Sequence, residues 1–126
     1  MNTDTNIDQL TELVIGGAYR VGNTLGVGFL EKVYENALSI ELRRAGLAVQ
    51  QQFAMKVMYG GEVVGDYVAD LIVESRLIVE IKAVRRFEQI HVAQCLNYLK
   101  ATELRVCLLL NFGTPKVEVK RVVSGS

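Results

Sequence analysis

The residues best placed to do chemistry sit where the sequence is otherwise apolar. Leu77-Ile78-Val79-Glu80-Ile81-Lys82-Ala83 is aliphatic and β-branched, the composition of a central strand. Side chains alternate along a strand, so Leu77, Val79 and Ile81 point one way while Ile78, Glu80 and Lys82 point the other. Burying an unpaired charge costs several kcal/mol, so Glu80 and Lys82 must be compensated. The plain alternatives are that they pair with each other or reach water at the strand end. Tyr67-Val68-Ala69-Asp70-Leu71-Ile72-Val73 sets a third charge among apolar neighbours in the same way. A hairpin centred near Ser75 pairs residues whose numbers sum to about 150, which puts Asp70 opposite or diagonal to Glu80. Two adjacent carboxylates repel. Lys82 supplies one counter-charge and a divalent cation would supply the rest. Hard oxygen donors at this density suit Mg²⁺ or Mn²⁺, which keep several waters and accept phosphate oxygens directly.

The elements that must position these groups follow from periodicity. Residues 5–21 carry Ile7, Leu10, Leu13, Val14, Ala18 and Val21 in helical rhythm, with Thr3, Asp4 or Thr5 as caps. The glycines between Gly22 and Gly28 are expected to break that helix. A second helix spans residues 29–45, with Leu30, Val33, Ala37, Leu38, Ile40 and Leu42 inward and Gly46 as its stop. Residues 47–59 and 62–73 read as strands joined by Gly60-Gly61, a turn that permits positive φ. A tight connection at residues 74–76 leads to a strand over 77–84, a third helix over 88–101, and strands over 106–111 and 117–123. The order α-α-β-β-β-α-β-β describes one α/β domain over residues 1–126, a mixed sheet with helices on both faces.

Composition narrows the classes. With 126 residues, half of them apolar, and a single Pro, the chain matches one domain with one core. No apolar run approaches the roughly 18 residues that span a bilayer, and the start lacks a signal-peptide pattern. Cys95 and Cys107 form no ligand or bridge spacing, which points to a reducing, cytoplasmic setting. The net charge of zero argues against a histone-like binder. Its distribution is uneven: residues 1–74 hold 5 Lys/Arg and 10 Asp/Glu, residues 75–126 hold 9 and 4. Either an acidic cation pocket lies beside a basic face for a phosphate backbone, or the solvated surface is merely asymmetric.

Other features are weaker. Gly26-Val27-Gly28 before a helix invites a dinucleotide reading, which fails because Glu31 occupies the third glycine position and a helix precedes the loop. The loop either holds a phosphate at the helix N-terminus or simply turns the chain and brings Glu31 to the sheet. His91, Gln94 and Tyr98 share one helical face, where a lone histidine is more often packing or surface than a general base. Arg85-Arg86, directly after the Glu80–Lys82 strand, either touch a nucleic-acid backbone or sit in a solvated turn.

Asp70, then nine intervening residues, then Glu80-Ile81-Lys82, on the second and third strands of an αβββαβ order, resembles the PD-(D/E)XK nucleases. Gly28-Phe29-Leu30-Glu31-Lys32-Val33-Tyr34 is similar to the signature of the GxxExxY branch, and the likeness continues through GDYVADLIVE, LIVEIKAV, HVAQCLNYLKAT and LLLNFG, over roughly residues 10 to 123. Ala69 stands where the superfamily's name has proline. The resemblance implies a restriction-endonuclease-like αβββαβ core with an extra N-terminal helix. It implies that Asp70, Glu80 and the Ile81 carbonyl hold Mg²⁺ or Mn²⁺, with Glu31 as an additional acid. Lys82 would position or activate water, and Gln94 would orient water or phosphate. The implied activity is metal-dependent hydrolysis of DNA phosphodiesters, with RNA second, in a protein that works with a second copy or a partner to complete its substrate channel. A nucleic-acid-binding or assembly module without turnover is the alternative, and a small-molecule phosphohydrolase a third.

Overall fold

The computed structural model describes residues 6–125. Its elements are α1 (Ile7–Leu25), α2 (Glu31–Arg44), β1 (Val49–Tyr59), β2 (Glu62–Val73), β3 (Leu77–Lys82), α3 (Gln89–Thr102), β4 (Val106–Asn111) and β5 (Glu118–Val123). The five strands form one sheet in the order β1-β2-β3-β4-β5. Only β3 and β4 run parallel, and a parallel pair requires a crossover, which α3 provides. One core, under α1 and α2, contains Leu10, Leu38, Leu77, Val79, Ile81 and Leu108. The other, under α3, contains Ile78, Cys95, Tyr98, Leu99, Cys107 and Leu109. This is the mixed sheet flanked by helices that the order of patterns implies.

Two turns set the registers that matter. Gly60 and Gly61 adopt φ of 59° and 83°, the pair of left-handed residues that a tight hairpin requires. Between β2 and β3 the left-handed positions are Glu74 and Ser75, at 55° and 54°, where a side chain makes the backbone uncommon. Hydrogen bonds compensate: Glu74 N–H donates to Ala48 O at 2.8 Å, and Ala48 N–H donates to the Glu74 carboxylate at 2.7 Å. The hairpin thereby pairs Val73 with Leu77, Ile72 with Ile78, and Leu71 with Val79.

Local details depart from the periodicity in instructive ways. The cap residues Thr3, Asp4 and Thr5 lie outside the described residues; Asn6 caps α1, its side chain accepting from Asp8 N–H at 2.8 Å. Gly22 does not end α1, which continues to Leu25. A Cβ at Gly22 would collide with the Val117 side chain, so this glycine serves close packing rather than a break. The stop is Gly26, at φ 71°. Leu13, Val33 and Ile40, expected inside, are 42%, 38% and 49% exposed, and Leu30 is 81% exposed. The inner face of α2 is narrower than its apolar content suggests: Tyr34, Leu38 and Leu42 are fully buried. Gly46 closes α2 as expected, its N–H bonding Arg43 O at 2.9 Å while Leu47 N–H bonds Leu42 O at 3.0 Å, the Schellman pattern.

The loop after β3 is fixed by a buried amide. Asn111 accepts from Val84 N–H and Gly113 N–H, both at 2.9 Å. It donates to Val84 O at 2.8 Å and to Glu118 Oε1 at 2.9 Å. All four hydrogen-bonding positions of the amide are therefore used. A Cβ at Gly113 would strike the Val84 carbonyl and amide backbone. Gly113→Ala is expected to destabilise the fold by about 2 kcal/mol or more, because backbone cannot yield as a side chain can. Gly22→Ala should cost about 1 kcal/mol and recover when Val117→Ala removes the obstructing methyl groups. Thermal melting measures both, and a Gly113→Ala chain as stable as the parent would refute the close approach.

Candidate active site

The site forms where the sheet splits. The β2–β3 ladder stops at Leu71–Val79, although the same register would next pair Asp70 with Glu80. There, side chains replace the missing backbone bonds. Asp70 N–H donates to Glu80 Oε2 at 2.7 Å, and Ile81 N–H donates to Asp70 Oδ2 at 2.8 Å. Each carboxylate thus reaches across the gap to the other strand. Their second oxygens, Asp70 Oδ1 and Glu80 Oε1, accept no hydrogen bond from the described residues.

The other edge of β2 is interrupted at the same point. β1 and β2 pair Gln51 with Leu71 and then Phe53 with Ala69, skipping Gln52 and Asp70. Gln52 has φ 55°, a left-handed residue inside a strand. Its effect is to change faces. Val49, Leu71 and Val73 pack under α1 and α2, whereas Phe53, Met55 and Ala69 pack under α3. All are odd-numbered, so an unbroken alternation would keep them on one side. Asp70 lies at that changeover, within reach of charges on both layers.

A buried carboxylate from α2 holds the changeover. Glu35 is 3% exposed. Its oxygens accept from Gln51 Nε2 at 2.8 Å and Gln52 Nε2 at 2.9 Å, and Lys32 Nζ lies 3.2 Å from both. Neither Glu35 nor Gln52 is conspicuous in the sequence. Glu35 follows Glu31 by one helical turn on a charged stretch, and nothing in the residue types of Gln51-Gln52 announces a positive φ.

Of the residues singled out by type and spacing, Asp70 meets Glu80 and Lys82 meets Gln94. Glu31, on the first turn of α2, accepts from Ala83 N–H at 3.3 Å. The loop before it carries Gly26 and Gly28 at φ 71° and 112°. It is tied down by Tyr34, whose hydroxyl donates to Gly26 O at 2.6 Å and accepts from Phe29 N–H at 3.2 Å. The Tyr34 ring stacks on Phe112 at 4.7 Å. The loop therefore turns the chain and delivers Glu31 to the end of β3. Lys82 Nζ donates to Gln94 Oε1 on α3 at 3.2 Å. His91 lines the same cleft as Lys82 and Gln94, and its Nδ1 accepts from Glu88 N–H at 3.0 Å, a capping interaction at the start of α3. Arg85 and Arg86 stand exposed in the loop after β3.

Crowding of these charges shifts their proton affinities. Burial pushes the Glu80 carboxyl up to about 8, and the nearby Asp70 charge pushes the same way; the Asp70 N–H and Lys82 only partly offset them. Asp70 is also raised, first by burial and then by Glu35 and Glu31, against the pull of Ile81 N–H and Lys82. The Tyr98 phenol is raised as well, by burial and then by Glu80 and Asp70. Such an acidic cluster lacks positive charge, as a cation site does before its ion binds. Among the described residues no three His, Cys, Asp or Glu side chains converge as a closed cage. One or two carboxylates with water and substrate oxygens are the usual protein share for Mg²⁺, so the oxygen-only donor set of Asp70 and Glu80 fits Mg²⁺ or Mn²⁺ better than zinc.

Comparison with known proteins agrees with this architecture. The chain is similar over 94% of its length to the structure of SSO0001, at 18% identity and a TM-score of 0.59, and spans 59% of that chain. It is similar over 95% of its length to an alkaline exonuclease (LHK-Exo) from Laribacter hongkongensis, at 11% identity and a TM-score of 0.51, covering 83% of that chain. These likenesses concern the fold. No curated protein matches the chain at a significant level. The family model of the PD-(D/E)XK nuclease superfamily matches residues 8–122, with Asp70, Glu80 and Lys82 inside that span; the chain belongs to this superfamily.

Proposed function

We propose that this protein is a divalent-metal-dependent nuclease that hydrolyses phosphodiester bonds of DNA, with RNA the second substrate, and that it belongs to the GxxExxY branch. The observation that carries the reading is the reciprocal reach of Asp70 and Glu80 across the split ladder, with Lys82 beside them. Superfamily membership supports it, and so does the fold shared with an alkaline exonuclease. The branch signature has a physical role for each letter: Gly28 supplies the left-handed turn, Tyr34 locks the loop, and Glu31 reaches Ala83 N–H.

Asp70 and Glu80 would hold Mg²⁺ or Mn²⁺ through their uncommitted oxygens, with the Ile81 carbonyl completing the protein's share and Glu31 as an outer acid. A divalent ion bound there supplies a water of lowered pKa and a clamp on phosphate oxygens. Lys82 contributes a mobile positive charge toward the phosphate and the attacking water. Gln94 fixes the Lys82 ammonium through the bond at 3.2 Å. Arg85 and Arg86, exposed in the loop after β3, would touch the phosphate backbone. The second reading is a binding or assembly module without turnover.

Cleavage of DNA with Mg²⁺ or Mn²⁺, abolished by EDTA, distinguishes the two. Asp70→Ala, Glu80→Ala and Lys82→Ala should each lower turnover at least 100-fold, the scale of losing one stabilising group in an active site. The same variants should melt as cooperatively as the parent. A parent protein that binds Mn²⁺ in calorimetry yet cuts no DNA would leave the assembly reading standing.

The shift on Glu80 predicts a pH dependence. With an ordinary value of 4.5 and a folded value of about 8, folded protein keeps a proton that the unfolded chain releases between those limits. The stability it contributes is fully present below about 4.5 and is lost as pH rises toward about 8. Asp70 shifts in the same direction. Metal-free protein should therefore melt at lower temperature as pH increases through this window. Glu80→Gln should flatten the trend, and Mg²⁺ or Mn²⁺ should raise the melting temperature most at the alkaline end. A melting temperature that climbs with pH in chelator would contradict the crowding.

Glu35→Ala removes the acceptor shared by Gln51, Gln52 and Lys32. It should cost about 2 kcal/mol, the scale of leaving buried donors unpaired, and weaken Mn²⁺ binding as well, because the Gln52 kink that seats Asp70 relaxes. Mn²⁺ affinity equal to the parent's would show that the network is structural alone.

A further inference from the structure

A groove leads away from this site. Between α3 and the hairpin of β1 and β2 lies a cavity of about 340 Å³ whose walls include Tyr67, Lys82, Ile90, Gln94, Asn97 and Tyr98. A neighbouring cavity of about 500 Å³ shares Tyr67 and Asn97 and continues to Lys56, Met58, Lys100 and Glu103. The shared walls make the two one channel, with Lys82 at the catalytic end and Lys56 and Lys100 at the other.

Its lining has the chemistry of a single nucleic-acid strand. The Tyr67 ring is held in place by the buried Tyr98, with centroids 5.9 Å apart at 55°, yet Tyr67 stays 45% exposed. A ring fixed on one side and open on the other is a stacking platform for a base. Ile90, 66% exposed, adds an apolar wall. The Asn97 amide, exposed on the channel wall, is free for the polar edge of a base. Lys56 and Lys100 line the outer cavity with one carboxylate, Glu103, and Lys82 lines the inner one beside the acidic pair. Gln94 to Lys100 covers roughly 9 Å of helix, enough for two or three nucleotides.

We infer that this channel carries an unpaired DNA strand past the active site, with a base stacked on Tyr67 and flanking phosphates against Lys56 and Lys100. The inference rests on the nuclease reading and gives it a substrate class: single strands and frayed or flapped ends.

Fluorescence anisotropy of a labelled twelve-nucleotide oligothymidine, with Ca²⁺ replacing Mg²⁺ to prevent cutting, tests it. Tyr67→Ala should weaken binding roughly tenfold or more, the loss of one base–aromatic stack, while Tyr67→Phe should bind as the parent does. The double variant Lys56→Ala/Lys100→Ala should lower the salt dependence by about 1.4 in log–log slope, near 0.7 for each phosphate contact. Blunt duplex should bind weakly to the parent and equally weakly to every variant. Oligothymidine binding unchanged in Tyr67→Ala, or a preference of the parent for blunt duplex, overturns the channel. If Tyr67→Ala binds normally while Asp70-dependent cleavage persists, the channel falls and the nuclease stands. If the parent binds through Tyr67 yet cuts nothing with Mg²⁺ or Mn²⁺, the nuclease falls and the channel stands.

Discussion

A strand that leaves its neighbour must find new partners for its amides, and here two carboxylates provide them. Asp70 N–H and Ile81 N–H, at the point where β2 and β3 part, bond to Glu80 and Asp70 across the gap. Unpaired buried amides cost as much as lost hydrogen bonds, so the split and the acidic pair stabilise each other. The split frees the outer part of the β1–β2 hairpin from the sheet. That arm, with Tyr67 on its inner side, becomes one wall of a groove whose other wall is α3.

Holding negative charge at such a place is costly, and the surroundings show how the cost is distributed. Lys82 is bonded to Gln94, and its charge partly offsets the pair. Glu35 is neutralised separately, by Lys32 and two glutamine amides. Asn111 fixes the loop after Lys82, which keeps Ala83 N–H where Glu31 can reach it. What remains is a buried, negatively charged pair: burial first, and neighbouring carboxylates second, raise the proton affinity of both Asp70 and Glu80. A divalent cation relieves it by the same Coulombic logic that a proton does, with twice the charge.

Much of this was legible in the residues. Strand order, the glycine hairpin and the meeting of Asp70 with Glu80 follow from alternation and from counting across a tight turn, because local rules govern them. The roles of Glu31, Lys82 and Gln94 are a matter of resemblance rather than periodicity; Lys82 meets Gln94, while Glu31 bonds the backbone of Ala83. Long-range packing is less legible. Gly22 looks like a helix breaker until Val117, far along the chain, is seen against it. Val33 and Ile40 fit a helical stripe, yet only one narrow face of α2 meets the sheet. The kink at Gln52 and the burial of Glu35 depend on each other across layers. Asn111 left one trace, a lone polar residue in the apolar run Val106–Phe112, whose meaning appears only when its four bonds are in view.

The central claim is that Asp70 and Glu80 form one cation site at the split in the sheet. Crystals of the protein soaked in Mn²⁺ and measured at the manganese absorption edge locate the ion directly. The account predicts an anomalous peak about 2.1 Å from an oxygen of each carboxylate, the distance hard cations of this size keep, with Lys82 still beside it. A peak elsewhere, or none at saturating Mn²⁺ with both carboxylates still turned to the backbone, would contradict it.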